Sequence, residues 1–108
     1  MRPLEGIKVL DMSRVLAGPF AGRILSDLGA EVVKVEPPEG DVTRNWGKVR
    51  AGLAGYYTQQ NIGKRNVCVD LRIEGGSELV LRMAAEADVV IENFRPGVMK
   101  RYGLAYEN

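Results

Sequence analysis

The clearest structural pattern of the chain lies in residues 7–36, which run IKVLDMSRVLAGPFAGRILSDLGAEVVKVE. Residues 7–11 are mostly apolar and partly β-branched, which predicts a short buried strand. Pro19 suits the first turn of a helix, where its missing N–H would be unpaired in any case, and Gly29 is a typical helix terminator. Residues 31–36 then predict a second strand. The stretch therefore predicts a β-α-β unit.

The same alternation continues along the chain. Residues 66–71 (NVCVDL) and 88–92 (DVVIE) predict two further strands, and the apolar spacing between them predicts a helix over 75–86. Strands that alternate with helices indicate the α/β class, here a Rossmann-like parallel sheet with helices on both faces. The remaining expectations are a surface loop over 37–55 with a turn at 43–47, a brief helix over 55–61, and a last short helix opened by Pro96 and ended by Gly103.

The expected sheet topology predicts where a ligand binds. In the commonest doubly wound order, the first strand lies beside the fourth, and the strand order reverses between them. Ligands then bind outside the carboxyl ends of those two strands. In this chain those ends are the loops 12–18 and 93–96.

Composition excludes several classes of protein. The chain has 108 residues with a net charge of +1, so bulk charge does not point to nucleic acid or to a membrane surface. No apolar run reaches the roughly 20 residues that a membrane helix needs, and the N-terminus lacks a signal-peptide core. We expect a soluble, cytoplasmic protein with no nucleic-acid or membrane partner.

Two residue types limit the chemistry. The chain has no histidine and one cysteine, which excludes a serine–histidine or cysteine–histidine nucleophile. A zinc site is not expected, because little besides carboxylates remains to bind the metal. Cys68 lies inside a predicted strand, where core packing is the favoured interpretation. Asp11, Asp70 and Glu92 each close a predicted strand, but nothing marks two of them as an acid/base pair. They could equally cap turns or pair with Lys64 or Arg65.

The segment SRVLAGPFAG, residues 13–22, joins the first strand to its helix. A helix N-terminus favours phosphate, and glycine allows close backbone approach. However, the dinucleotide fingerprint G-x-G-x-x-G is absent, and so is the Gly-Lys-Ser/Thr of the phosphate loop. Glu36 stands about where a ribose-binding acid is expected, but without the glycines that match is weak. A simple strand-to-helix turn remains the alternative.

Basic residues cluster near the predicted crevice. Lys64 and Arg65 precede the third strand, while Arg95, Lys100 and Arg101 follow the fourth. Arginine makes forked contacts to phosphate, although such clusters are often only solvated surface charge, and both interpretations stay open. Other side chains have different expected positions. We expect Arg44, Lys48 and Arg50 to be solvated or to face a partner. We expect Trp46 to pack against the protein, and Tyr56 and Tyr57 to be divided between core and surface.

Three strings together resemble one enzyme family. These are residues 3–46 (PLEGIKVLDMSRVLAGPFAGRILSDLGAEVVKVEPPEGDVTRNW), residues 61–71 (NIGKRNVCVDL) and residues 87–104 (ADVVIENFRPGVMKRYGL). In this order they are similar to the N-terminal segment of family III CoA-transferases, whose fold 2-methylacyl-CoA racemases share. The resemblance extends from Pro3 to about Leu104.

The resemblance implies that CoA or acyl-CoA binds as a substrate, with no separate cofactor and no metal. It also implies which residues bind CoA. Among them, Arg101 is the basic residue implied to reach the CoA phosphates. The implied CoA-binding residues are Val15, Leu16, Ala17, Val69, Asp70, Leu71, Arg72, Asn93, Phe94, Arg95 and Arg101.

The chain departs from the family pattern at two positions. Pro37 stands where several members have an arginine for the adenosine phosphates. Either Lys34, Arg72 or Arg101 replaces that arginine, or the affinity for CoA is lower. Leu16 stands in place of a glutamine that helps the formyl-transferring members, which argues against formate or oxalate as the acyl group.

The family's catalytic aspartate lies beyond residue 108, so no catalytic residue is expected within this chain. In the family this aspartate passes the acyl group through mixed-anhydride and thioester intermediates. The resemblance therefore implies that residues 1–108 are the CoA-binding α/β segment of a longer enzyme that transfers CoA between carboxylic acids and forms an interlocked homodimer. The alternatives are part of a racemase or epimerase of the same fold, or a non-catalytic CoA- or nucleotide-binding module. Dinucleotide-dependent oxidoreduction is the least favoured of the alternative functions, because the glycine fingerprint is absent.

Overall fold

The computed structural model describes residues 1–107, in which strands and helices alternate. The strands are β1 (Lys8–Asp11), β2 (Glu31–Glu36), β3 (Val49–Arg50), β4 (Leu53–Ala54), β5 (Arg65–Cys68) and β6 (Val89–Ile91). The helices are α1 (Ala17–Asp27), α2 (Gly55–Asn61), α3 (Gly76–Ala85) and α4 (Val98–Arg101), with a 3-10 helix at Val42–Asn45.

The main sheet has four parallel strands in the order β5-β2-β1-β6. In its register Leu10 of β1 pairs with Val33 of β2 on one side and with Val90 of β6 on the other. The first predicted strand thus lies beside the fourth, and the order reverses at β1. The predicted parallel α/β sheet is confirmed.

The sheet carries one helical layer on each face because successive strand side chains point to opposite sides. On one face Val9 and Val32 pack with Leu25 of α1. On the other face Leu10 and Val35 belong to a cluster that includes Val80 of α3, which is only 1% exposed. The helices on both faces confirm the Rossmann-like architecture.

Most predicted element bounds agree with the structure to within two residues. The exception is the third predicted strand, which ends at Cys68 instead of Leu71. The chain leaves the sheet there because the Asp70 carboxylate accepts hydrogen bonds from the backbone N–H and the guanidinium of Arg72. This local turn competes with continued strand pairing.

Residues 37–55 are more structured than the predicted surface loop. They hold the 3-10 helix and the antiparallel pair β3-β4. Asp41 and Thr43 are fully buried, which a solvated loop would not require. Trp46 remains 41% exposed and lies against Tyr56 with ring centroids 5.7 Å apart.

Cys68 is exposed, so the prediction that it packs in the core is wrong. Its neighbour Val69 is buried in the same core as Val80, with Val67 partly buried against it. Cys68 faces the opposite side of β5, which is an edge strand of this sheet. No helix within residues 1–107 is long and apolar enough to cross a membrane.

Two glycines at helix starts provide a matched test of packing. A Cβ on Gly76, the first residue of α3, would lie 2.1 Å from the carbonyl oxygen of Asp70, whereas one on Gly55 of α2 would have 4.0 Å to the nearest atom, the carbonyl oxygen of Lys48. We expect Gly76→Ala to lower the free energy of unfolding by about 1–3 kcal/mol, as overpacking does. Gly55→Ala should change it by less than about 1 kcal/mol. Urea unfolding followed by circular dichroism measures both, and equal effects would contradict the tight contact at Gly76.

Candidate functional site

A cleft of about 510 Å³ lies at the carboxyl ends of the central strands. Its walls come from the loop after β1, the end of β2 with the segment that follows it, the segment after β5, and the loop after β6 together with α4. Because the strand order reverses at β1, the connections that follow β1 and β6 run to opposite faces of the sheet and leave a space between them. The cleft therefore lies at the place that the topology predicted for a ligand.

The cleft brings together nine of the eleven sequence-predicted binding residues. Leu16 and Ala17 do not line it, because the chain turns at Val15 and α1 begins immediately after Leu16. Leu16 is instead 50% exposed at the start of that helix. The nine lining residues are Val15, Val69, Asp70, Leu71, Arg72, Asn93, Phe94, Arg95 and Arg101.

The turn after β1 is fixed from within the protein by buried side chains. The backbone N–H of Ser13 donates to Asp11 at 2.9 Å, and its carbonyl oxygen accepts a hydrogen bond from Lys34 Nζ at 3.0 Å. One step further, the N–H of Val15 donates to Asp41 Oδ2 at 3.3 Å. Both ends of the turn are therefore bonded to carboxylate or ammonium groups inside the fold.

Asn93 fixes the middle of the same turn and joins the two loops of the cleft. Its Oδ1 accepts the N–H of Arg14 at 3.0 Å, and its Nδ2 donates to the carbonyl oxygen of Arg14 at 2.7 Å. Val15 has a φ of 73°, a left-handed conformation that β-branched residues rarely adopt. Such a conformation persists only where the surroundings hold it, as these hydrogen bonds do.

Lys34 and Asp41 form an ion pair inside the protein. Their side chains are 1% and 0% exposed, and Nζ lies 3.0 Å from Oδ2. Burial alone would raise the pKa of Asp41, but hydrogen bonds from Thr43 and Lys34 keep it below its ordinary value. Because Lys34 is enclosed and bonded, the prediction that it could replace the arginine missing at position 37 is wrong.

A second internal ion pair joins Lys64 to Asp11. This is one of the pairings that the sequence analysis left open for the carboxylates that close the strands. Nζ lies 2.6 Å from Oδ2, and it also donates to Asn61 Oδ1 at 2.8 Å. Burial lowers the pKa of Lys64, and the Asp11 carboxylate partly offsets that effect. Lys64 is 1% exposed, so it is neither a phosphate-binding group nor a solvated surface charge.

Glycines in the strand-to-helix segment serve this internal packing. A Cβ on Gly18 would lie 2.2 Å from Cβ of Ser13, and one on Gly22 would lie 2.7 Å from Asp11 Oδ2. The close approach that the sequence suggested for phosphate is thus made by the protein's own side chains. A larger residue at either position would displace these buried side chains, because α1 packs directly against the turn after β1.

Glu36 is the centre of a buried polar cluster. Its carboxylate accepts hydrogen bonds from the N–H of Asp41 at 2.6 Å, from Arg44 Nε at 2.8 Å and from the Tyr57 hydroxyl at 2.5 Å, and it also accepts one from Asn66. Burial alone would raise the pKa of Glu36, but these donors lower it to about 2. Glu36 therefore has no free oxygen for a ribose. Arg44 pairs with it, although the Arg44 side chain remains 41% exposed.

The arginines of the cleft differ in their partners. Arg72 donates to Asp70 at 2.8 Å and to Glu39 at 2.5 Å, and these two acids raise the pKa of its guanidinium. Arg14, Arg95 and Arg101 also line the cleft, and within residues 1–107 none of the three has an acidic group within 4.0 Å. The cleft thus carries net positive charge that is available to an anion.

Aromatic rings lie beside two of these arginines. The Arg14 guanidinium carbon is 5.2 Å from the centroid of the Phe94 ring, and that of Arg101 is 5.3 Å from the Tyr102 ring. Sequence reasoning did not single out Arg14 or Tyr102. Arg14 could have been found, since it lies in the loop that the topology nominated.

The arrangement suits binding of a ligand that is both anionic and partly apolar. Apolar wall residues such as Val69 and Leu71 face the same space as the unpaired arginines. Asp70 is held by Arg72, and Glu92 accepts the N–H of Phe94 at 3.0 Å, so both of these carboxylates have structural partners. Residues 1–107 hold no group of three or more potential metal ligands.

Comparison with known proteins identifies relatives across the whole chain. The model of CoA-transferase family III matches residues 4–108. A succinate–glutarate CoA-transferase of Agrobacterium fabrum is 49% identical over 98% of this chain and 28% of its own length. A probable fatty acyl-CoA transferase of Mycobacterium tuberculosis is 49% identical over 95% of this chain and 27% of its own length.

A solved structure has the same fold. The CaiB/BaiF family protein of Brucella suis superposes with a TM-score of 0.92 and 53% identity, over 98% of this chain and 29% of that protein. The chain therefore spans less than a third of the length of each of these three proteins.

The Glu36 cluster predicts a specific pH dependence of stability. Folding lowers the pKa of Glu36 from 4.5 to about 2, so its ionised form stabilises the protein fully above pH 4.5, and this contribution is lost as the pH falls towards 2. Glu36→Gln should lower the free energy of unfolding by about 2–4 kcal/mol at neutral pH. The difference from the unaltered chain should shrink below pH 4.5, as measured by urea unfolding at a series of pH values.

A surface variant is the control for this experiment. Glu31 pairs with Arg65 at 3.4 Å, and both side chains are at least half exposed. Glu31→Gln should change stability by less than about 1 kcal/mol at neutral pH. A stability difference for Glu36→Gln that stays constant from neutral pH down to pH 2.5 would contradict the assigned ionisation.

Proposed function

We propose that this chain, which belongs to CoA-transferase family III, forms the CoA-binding part of an enzyme that transfers CoA between carboxylic acids. The observation that carries the proposal is the cleft at the carboxyl ends of β1 and β6, where unpaired arginines line a partly apolar space. CoA combines a negatively charged phosphate end with an uncharged pantetheine arm. A cleft of this character matches both parts of the molecule.

The proposal divides the cleft by chemistry. Arg95 and Arg101, on the segment from the end of β6 through α4, are the groups proposed to bind the CoA phosphates, because arginine remains charged and donates in a forked geometry. Val69 and Leu71 are proposed to contact the pantetheine arm. Leu16 and Ala17 do not line the cleft, so their proposed contact with CoA rests on the family resemblance alone.

The catalytic nucleophile is proposed to come from outside these 108 residues. In family III the nucleophile is an aspartate that carries the acyl group through mixed-anhydride and thioester intermediates. Within the cleft, Asp70 and Glu39 are both bonded to Arg72, so neither has the freedom that a nucleophile needs. The chain's own residues would hold and orient CoA, and the chemistry would occur on a group brought to the cleft.

The longer enzyme that contains this chain is proposed to be cytoplasmic and to form an interlocked homodimer. Apolar residues spaced four apart on α1, namely Phe20 and Ile24, are 47% and 43% exposed. Val89 and Val90 of the edge strand β6 are likewise 41% and 42% exposed. Apolar surface of this kind supports burial against further polypeptide. Since one relative is named as a CoA-transferase and the other as a probable fatty acyl-CoA transferase, transfer is favoured over racemisation.

The first test is calorimetric titration of the folded 108-residue chain with CoA and with 3′-dephospho-CoA. We expect saturable binding of CoA and weaker binding of the dephosphorylated form, because the 3′-phosphate would lose its contact with an arginine. Circular dichroism first establishes that the chain is folded. Failure of the folded chain to bind CoA would overturn the proposal that this cleft binds CoA by itself.

A variant then tests the assigned phosphate contact. Arg101→Ala should weaken CoA binding by about 1.5–3 kcal/mol, the range for a hydrogen bond to a charged group. Arg82→Ala is the matched control, since Arg82 is an exposed arginine of α3 that does not line the cleft. The same CoA affinity in the two variants would remove Arg101 from the site.

A further inference from the structure

We infer that Arg14 binds the free carboxylate of a dicarboxylic acyl group, and that it thereby sets the substrate class of the enzyme. This inference rests on the proposed function, because it places an acyl-CoA in the cleft. Arg14 is absent from the binding residues that the family resemblance implies. The inference comes from the fixed position of Arg14, its missing acidic partner and its aromatic neighbour.

The backbone of Arg14 is held in one position. Asn93 bonds both its N–H and its carbonyl oxygen, at 3.0 and 2.7 Å. The residues on either side are fixed in turn, Ser13 by Lys34 and Val15 by Asp41. A side chain on so rigid a turn is a preorganised binding group, since little backbone freedom remains to be lost when a ligand binds.

The side chain of Arg14 is exposed and lines the cleft. Its guanidinium lies over the Phe94 ring at 5.2 Å, and no acidic group of residues 1–107 lies within 4.0 Å of it. Arg72 in the same cleft shows the contrasting case, because Glu39 and Asp70 already neutralise it. Stacking on an aromatic ring leaves the edge of a guanidinium free to donate to an anion.

Transfer of CoA to a dicarboxylic acid creates a need for such a group. One carboxyl becomes the thioester, and the other remains ionised in a cleft that is partly apolar. A buried carboxylate without a partner is strongly unfavourable, and an arginine supplies two parallel hydrogen bonds of matching geometry. A fatty acyl group has no second carboxylate. It would therefore leave Arg14 without an anionic partner, because the CoA phosphates are proposed to bind Arg95 and Arg101.

The named relatives make this choice informative. One is named as a succinate–glutarate CoA-transferase and the other as a probable fatty acyl-CoA transferase, and both are 49% identical to this chain. Overall identity therefore does not distinguish a dicarboxylic from a monocarboxylic substrate. The position and charge of Arg14 favour the dicarboxylic class.

The test compares two stable thioether analogues that differ only in the terminal group. S-carboxypropyl-CoA carries a free carboxylate, whereas S-butyl-CoA ends in a methyl group. Calorimetric titration of the 108-residue chain should show that S-carboxypropyl-CoA binds about ten-fold more tightly or better. Arg14→Met should reduce that preference to less than about two-fold, and Arg14→Lys, which keeps the charge but not the fork, should retain part of it.

Arg82→Met is the matched control and should keep the full preference, because Arg82 does not line the cleft. Circular dichroism and urea unfolding establish that each variant is folded. Equal binding of the two analogues by the unaltered chain would overturn the assignment to Arg14 while leaving the CoA site intact. If Arg14→Met weakens both analogues by the same factor, Arg14 contacts a CoA phosphate and the inference is wrong. If the folded, unaltered chain binds neither analogue, the proposed CoA site fails, and this inference fails with it.

Discussion

The ion pair between Lys34 and Asp41 is the contact on which the cleft depends. Lys34 belongs to β2 and Asp41 to the segment that follows it, yet the pair bonds to both ends of the turn after β1. Charged groups this deeply buried are stable only when every polar atom has a partner. Here the turn provides two of these partners. The carbonyl oxygen of Ser13 accepts a hydrogen bond from Lys34, and the N–H of Val15 donates one to Asp41. The site loop and the buried pair therefore stabilise each other.

Charge in this molecule is divided between two tasks. The carboxylates of Asp11, Glu36 and Asp41 are enclosed and are matched by Lys64, Arg44 and Lys34, which fixes the segments around the sheet. The arginines on the open side of the cleft are different, since three of the four have no acidic partner among the described residues. A net charge of +1 conceals this division. The chain as a whole has 15 basic and 14 acidic residues, while the cleft itself is basic.

The glycines near the site show how packing constrains sequence where no ligand is involved. Gly18 and Gly22 let α1 pass over Ser13 and Asp11, and Gly76 lets α3 begin against the backbone of Asp70. Each contact sets the position of a cleft wall without touching the cleft. A glycine-rich segment at the start of a helix is therefore weak evidence for a phosphate loop. In this chain these glycines allow the helices to pack closely against the ends of the strands.

The amino-acid sequence was sufficient to predict the fold class, the strand order and the location of the cleft. These follow from local patterns, because apolar periodicity marks strands and helices, and the handedness of parallel connections leaves few topologies. It also gave nine residues of the candidate site through family resemblance. The burial of individual charges depends on tertiary contacts. Lys34, Lys64 and Glu36 look like surface groups in the sequence and are buried in ion pairs, while Arg44, the partner of Glu36, stays 41% exposed. Their partners are 7 to 53 residues away along the chain, and a polar contact formed across such distances leaves no periodic signal in the sequence.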